Sequence, residues 1–149
     1  MTIRIDKVSA TNALASIKNI EETAILNGQV VQKGDYIEGD VFGATAIKDL
    51  TSADLLIHAS VDDKGKCEKD FQLVGDKIGR TYYPVTGQVF TLPKTMFEGA
   101  VAVKDLVEPQ VASTKWKKVA TDPAAKVYAK VIAEEVFAGQ ECLVLHIYA

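Results

Sequence analysis

Glycine returns at short, fairly even intervals between Gly28 and Gly99, at positions 28, 34, 39, 43, 65, 75, 79, 87 and 99. Such spacing leaves room for strands of about 5–6 residues joined by turns, and none for long helices. Asn27-Gly28 is the sharpest of these signals, because both residue types tolerate positive φ in a type I′ hairpin turn. It separates Ala24-Ile25-Leu26 from Gln29-Val30-Val31-Gln32. Lys33-Gly34-Asp35 and Glu38-Gly39-Asp40 read as two further turns around a short strand containing Tyr36 and Ile37. The mostly apolar run Asp54 to Val61 predicts a central strand, and Asp62-Asp63-Lys64-Gly65-Lys66 a charged surface loop.

Further along, Arg80 to Val85 and Gln88 to Leu92 are rich in aromatic and β-branched residues and flank a tight turn at Thr86-Gly87. Pro84 lacks an amide donor, so its strand should lie at an edge or end there. Ala100 to Val107 predicts another strand closed by Glu108-Pro109, and Leu143 to Tyr148 a last one. Two stretches admit two readings. Over residues 10–23, Leu14, Ile17 and Ile20 have helical spacing with Thr11 or Asn12 as N-cap, yet an extended arm fits equally. Over 122–138, Asp122 can cap, Pro123 suits a first turn and Gly139 can terminate a helix. Against that, Val127, Ala129, Val131 and Ala133 alternate, which predicts a hairpin turning near Ala138-Gly139-Gln140.

The chain has 149 residues, 48% of them hydrophobic and 25% charged. Those proportions belong to a globular domain rather than a disordered chain. The length fits one domain whose core can bury about two-thirds of the unfolded surface. The expectation is a single mainly β domain over 1–149, a β-sandwich or barrel-like fold with one or two short helices and residues 1–10 as an extended N-terminal arm. No apolar run reaches the roughly 18 residues of a membrane helix. MTIRIDKVSA lacks the apolar block of a signal peptide, which argues against secretion by that route, and a count of two cysteines argues for folding in a reducing cytoplasm. Seventeen Lys and Arg against 20 Asp and Glu, spread along the chain, argue against nucleic acid as a partner.

Residues that carry chemistry are few. Cys67 and Cys142 share no CxxC spacing, so neither a disulfide framework nor a zinc site is expected. Cys142 and His146 fall on one face of a strand but about 13 Å apart, too far for proton transfer. His58 and His146 read as sheet residues bonded to a neighbour or to solvent. Asp62-Asp63 and Asp35 with Asp40 supply too few oxygens for calcium. Gly34, Gly39 and Gly43 lack the Lys-Ser/Thr of a phosphate loop. Lys115-Trp116-Lys117-Lys118 could stack and hold a single strand of nucleic acid, but solvated lysines around one buried Trp make the same pattern. No catalytic residue, cofactor or metal is expected.

The order of segments is more specific than any single motif. Ile3-Arg4-Ile5-Asp6-Lys7-Val8 is followed by Leu26 to Val31 running into Lys33-Gly34-Asp35, then by the Asp54–Val61 strand. Asp70-Phe71-Gln72-Leu73-Val74-Gly75-Asp76-Lys77-Ile78-Gly79-Arg80 comes next, then Gly87 to Leu92, and a closing region from Lys130-Val131-Ile132 through Gly139. This order, over nearly the whole chain, resembles small head decoration (auxiliary capsid) proteins of tailed phages and prophages of Gram-positive bacteria. The resemblance departs at Val61-Asp62-Asp63, where proline and tyrosine would be expected.

The resemblance implies a structural virion protein on the capsid exterior, with the major capsid protein as partner and possible self-association as a homo-oligomer. It implies no enzyme activity and no membrane. Strand edges and terminal arms offer unpaired backbone to a neighbouring chain, which points to Ile3, Arg4 and Ile5. Tyr36, Phe42, Tyr82, Tyr83 and Phe97 are the candidate aromatic anchors, with core membership as the alternative for each. Two other functions compete: another β-rich virion part, such as a tail-tube or head–tail joining protein, and a small ligand-binding module or enzyme with a pocket near His58 and His146.

Overall fold

The computed structural model describes residues 4–7, 14–60, 72–75, 77–137 and 139–149, and only the backbone of Arg4–Lys7 and Leu14. The expected loop 62–66, with Cys67 and Ile3, lies outside the described residues. Among the described residues fourteen strands run in the order β1 (Arg4–Lys7), β2 (Leu14–Asn19), β3 (Ile25–Leu26), β4 (Val30–Glu38), β5 (Val41–Thr45), β6 (Leu55–His58) and β7 (Gln72–Leu73). They continue as β8 (Ile78–Tyr82), β9 (Val89–Pro93), β10 (Phe97–Glu98), β11 (Leu106–Pro109), β12 (Trp116–Lys118), β13 (Tyr128–Phe137) and β14 (Gln140–Tyr148). The mainly β, single-domain expectation holds, and the helical content among the described residues is one 3₁₀ turn at Lys94–Met96.

The strands form a closed barrel, β2-β5-β4-β6-β8, a seven-stranded sheet, β1-β9-β14-β13-β11-β12-β10, and a two-stranded ribbon, β3-β7. Strand alternation divides the side chains of β6 between two cores. Leu55 and Ile57 join Val30 and Tyr82 against Phe90, Leu92, Trp116, Val131, Leu143 and Leu145 of the large sheet. Leu56 faces the other way, into a smaller cluster with Ala15, Ile17, Val31 and Ala44, to which the ribbon adds Ile25 and Leu73. Each large side chain so buried contributes about 1.5–3 kcal/mol.

Several sequence signals are real but mean something other than expected. Asn27-Gly28 turns the chain, with Gly28 at φ +89° and Gln29 N–H donating to Leu26 O. It is no hairpin, however: β3 leaves to pair with β7, while β4 pairs with β5 and β6. Thr86-Gly87 likewise turns the chain from barrel to sheet, since β8 and β9 have different partners. Lys33-Gly34-Asp35 is a bulge within one long β4, where Gly34 and Asp35, between Lys33 and Tyr36, oppose the single Gly43 between Ala44 and Phe42. The strand expected over 100–107 begins only at Leu106 and carries on through Glu108-Pro109, with Pro109 opposite Trp116.

In both two-way stretches the described residues form a strand and no helix. Leu14–Asn19 is a barrel strand that buries Ala15 and Ile17 and leaves Ile20 exposed. Asn19 ends it by donating to Thr23 O and Leu73 O and accepting Glu21 N–H. Tyr128–Phe137 and Gln140–Tyr148 pair as the two strands of the C-terminal hairpin. The N–H groups of Ala124 and Ala125, which a helix capped at Asp122 would have to satisfy locally, instead donate to the buried carboxylate of Glu108 at 2.7 and 3.0 Å. That cross-sheet acceptor replaces the cap, and burial of Val127, Ala129 and Val131 favours the strand. Arg4–Lys7, expected as an arm, pairs with β9 at the edge of the chain's own sheet.

Gly28 holds barrel and sheet together. A Cβ there would lie 2.6 Å from Leu92 Cδ2, whereas one at Gly39 (φ +56°) would meet nothing within 4 Å. Gly39→Ala should therefore cost only the positive-φ strain, about 1 kcal/mol. Gly28→Ala should add overpacking and cost about 2–4 kcal/mol. Urea denaturation of the two variants checks this, and equal costs would contradict it.

Candidate functional site

Three of the five candidate aromatics meet at one end of the barrel, around a lysine that sequence patterning did not single out. The bulge in β4 sets Lys33 opposite Ala44 and Tyr36 opposite Phe42. Tyr36 and Phe42 meet edge to face, ring centroids 5.8 Å apart. The Lys33 ammonium lies 4.7 Å from the Phe42 ring centroid and 5.3 Å from that of Tyr83. It donates to Tyr83 Oη at 2.8 Å and sits 3.8 Å from Asp54 Oδ1. The hydrogen bond to Tyr83, with help from Asp54, holds Lys33 above the ordinary lysine pKa against the opposing effect of burial. Cation and rings thus fix one another. Tyr36 remains 60% exposed at the rim, beside the exposed Ile37.

The other two aromatics are core residues. Tyr82 packs edge-on to Phe90 at 6.4 Å, and Phe97 is buried in the same cluster. Arg4 and Ile5 lie on β1, opposite Thr91 and Phe90. Trp116, the aromatic of the basic run, is 1% exposed and donates Nε1–H to Gly28 O at 3.0 Å. Its neighbours Lys117 and Lys118 reach Glu108 and Asp105 at 3.8 and 3.1 Å.

The histidines do not come together. His146 on β14 is half-buried, its ring 4.9 Å from Tyr148, which stacks on Tyr128. His58 is fully buried on the barrel face of β6. Its Nδ1–H donates to Leu26 O at 2.9 Å, which leaves Nε2 to accept from Ser60 Oγ at 2.7 Å. A serine hydroxyl on a histidine nitrogen is also the geometry of an activated nucleophile. Here the hydroxyl additionally accepts Arg80 N–H at 2.8 Å, and Ser60 N–H is held by Asn27 Oδ1 at 2.8 Å. Gly79 lies against the pair, where a Cβ would come 3.1 Å from both His58 Nε2 and Ser60 Oγ. The arrangement ties β3, β6 and β8 together.

A surface groove of about 420 Å³ is lined by Leu55, Tyr83, Pro84, Val85, Lys126 and Val127, and neither histidine lines it. Cys142 is a buried thiol. Among the described residues no group of three or more His, Cys, Asp and Glu is placed to hold a metal ion, and no helix is long and apolar enough to cross a membrane. Comparison with protein-family models and with curated proteins gives no match.

Burial lowers the His58 pKa from 6.5 to about 4. Between those values the unfolded chain binds the extra proton, so this stabilisation is complete above pH 6.5 and is lost as pH falls toward 4. The loss amounts to about 3 kcal/mol. Urea midpoints should therefore drop steadily from pH 7 to pH 5, and His58→Gln, though less stable throughout, should show a much flatter dependence. Parallel pH profiles for the two proteins would contradict the assignment.

Proposed function

We propose that the protein is a structural component of a tailed-phage virion that binds the outer surface of the major capsid protein lattice and reinforces it. The observation that carries this reading is the segment order from Ile3 to Gly139, which resembles head decoration proteins over nearly the whole chain. The fold is compatible with it in a physical sense. Attachment to a lattice requires a firm core and an adhesive exterior, and repetition multiplies contacts that are individually modest. The barrel end supplies one such exterior: Tyr36 and Ile37 stand out on a hairpin braced by Phe42 and Lys33. An aromatic ring held in place by its neighbours loses little entropy on docking, the property that makes aromatic anchors effective.

Electron microscopy of virions from the encoding phage tests the reading. Density of this size repeated over the capsid exterior is the expected result, and absence of the chain from purified particles would overturn it. Tyr36→Ala provides a finer test. Because Tyr36 lies at the rim, the substitution should change stability by no more than about 0.5–1 kcal/mol. Co-sedimentation with capsids that lack the protein should nevertheless weaken about tenfold or more, as for an interface anchor. Unchanged co-sedimentation would remove Tyr36 from the contact.

A further inference from the structure

The large sheet contains a stretch of backbone whose pairing stops part-way along a strand. β13 is ten residues long, but β11 accompanies only its beginning, with Val107 opposite Ala129 and Leu106 opposite Lys130. One step further, Val131 N–H donates to Asp105 O at 2.9 Å and Val131 O accepts Lys104 N–H at 2.8 Å. From Ile132 to Phe137 no strand among the described residues lies on that side, while β14 occupies the other.

A one-residue bulge between Val131 and Ala133 moves the outward-facing positions from odd to even numbers. Phe137 opposite Gln140 closes the hairpin, and the antiparallel ladder alternates from there. Past the bulge, the groups turned away from β14 are therefore the N–H and C=O of Glu134 and Val136. Their side chains are exposed, Val136 at 73%, with Ile132 beside them at 46%.

An open edge of this kind pairs with an added strand unless something blocks it, and proline or lysine is the usual block. Neither occurs between Val131 and Ala149, nor does arginine. The charge at the tip is acidic. Glu134 and Glu141 share one ammonium, Lys94, at 3.4 and 3.9 Å, so the face keeps a net negative charge. Two copies paired through this edge would bring four carboxylates and two ammoniums together, which disfavours a second copy as occupant. A partner strand with lysine or arginine alternating with apolar residues meets both the carboxylates and the exposed Ile132 and Val136.

From this geometry we infer that the outward edge of Ile132–Phe137 is a docking site for an extended, basic-and-apolar polypeptide segment, bound by main-chain pairing to Glu134 and Val136. The inference concerns the mode of docking and does not depend on the partner being a capsid protein.

The test uses the full chain and two capped six-residue peptides, one alternating lysine with valine or threonine and one with glutamate in place of lysine. Amide NMR should show shifts centred on residues 132–137. At saturation with the lysine peptide, hydrogen exchange at Glu134 and Val136 should slow tenfold or more. At low salt the lysine peptide should bind at least fivefold tighter than the glutamate peptide. Val136→Pro deletes an outward donor without touching a bond to β14, and should weaken binding tenfold or more. If that variant does not fold, Glu134→Lys serves instead and should reverse the preference between peptides. Shifts centred elsewhere, equal affinity for the two peptides, or full binding by a folded Val136→Pro would overturn the proposal. So would concentration-dependent dimerisation that protects the same amides without peptide, which would assign the edge to a second copy.

Discussion

The tertiary structure depends on a clasp two residues long. Asn27 uses its side-chain amide as a strand would use its backbone: Nδ2 donates to Ser60 O at 2.9 Å and Oδ1 accepts Ser60 N–H at 2.8 Å. Gly28 then donates N–H to His58 O at 2.8 Å and offers its own carbonyl to the Trp116 indole at 3.0 Å. Barrel, ribbon and large sheet all meet at these atoms. Each group is buried, so losing a partner would leave a desolvated polar atom with a penalty of about 1–3 kcal/mol. A positive φ, and a Leu92 methyl 2.6 Å from where a Cβ would sit and obliged to move for it, disfavour a side chain at Gly28. The clasp also explains why His58 is buried, since its ring fills the remaining space between Leu26 O and Ser60 Oγ.

Much of this architecture was legible before any coordinates, and the reasons are local. Glycine punctuation, the β-branched runs and the alternation in Leu143–Tyr148 depend on neighbours within a few residues, so they correctly indicated short strands. Partner choice depends on distant residues and was not legible. Nothing near Asn27-Gly28 distinguishes a hairpin from a junction, because the difference lies in Ser60, His58 and Trp116. The C-terminal region makes the same point energetically. Asp122-Pro123 is a good helix start by local rules, but the carboxylate of Glu108 captures the two amides that would begin the helix. A buried, charge-assisted acceptor outweighs a helix preference of a few tenths of a kcal/mol per residue.

Candidate surface residues divided along the same line. Tyr36, Phe42 and Tyr83 converge although 47 positions separate the first from the last. Tyr82, one residue from Tyr83, points to the opposite core, as alternation along a strand requires. The identity of an aromatic residue says little about which side it takes. Nothing in the sequence marks Lys33 as part of a site, because its neighbours Gly34 and Asp35 indicate a turn, and a solvated turn lysine has no site to belong to.

One device accounts for both exposed features. A single extra residue inverts the in–out alternation of everything beyond it. In β4 one extra residue lies between Lys33 and Tyr36, so Lys33 can face Ala44 and reach the rings while Tyr36 still pairs with Phe42 at the rim, and a second lies between Tyr36 and Glu38. In β13 the extra residue lies between Val131 and Ala133, so backbone groups that face β11 before it are followed by groups at Glu134 and Val136 that no described strand pairs. In each case a regular strand would have carried its pattern to the end, with the cation on the wrong side in one and the open edge at different residues in the other. Bulges carry no strong sequence mark, since any residue can occupy them and only the partner strand reveals the mismatch. The interior of this protein could therefore be anticipated from hydrophobic period and turn chemistry, whereas its exterior is shaped by one-residue changes of phase that become visible only once the strands are paired.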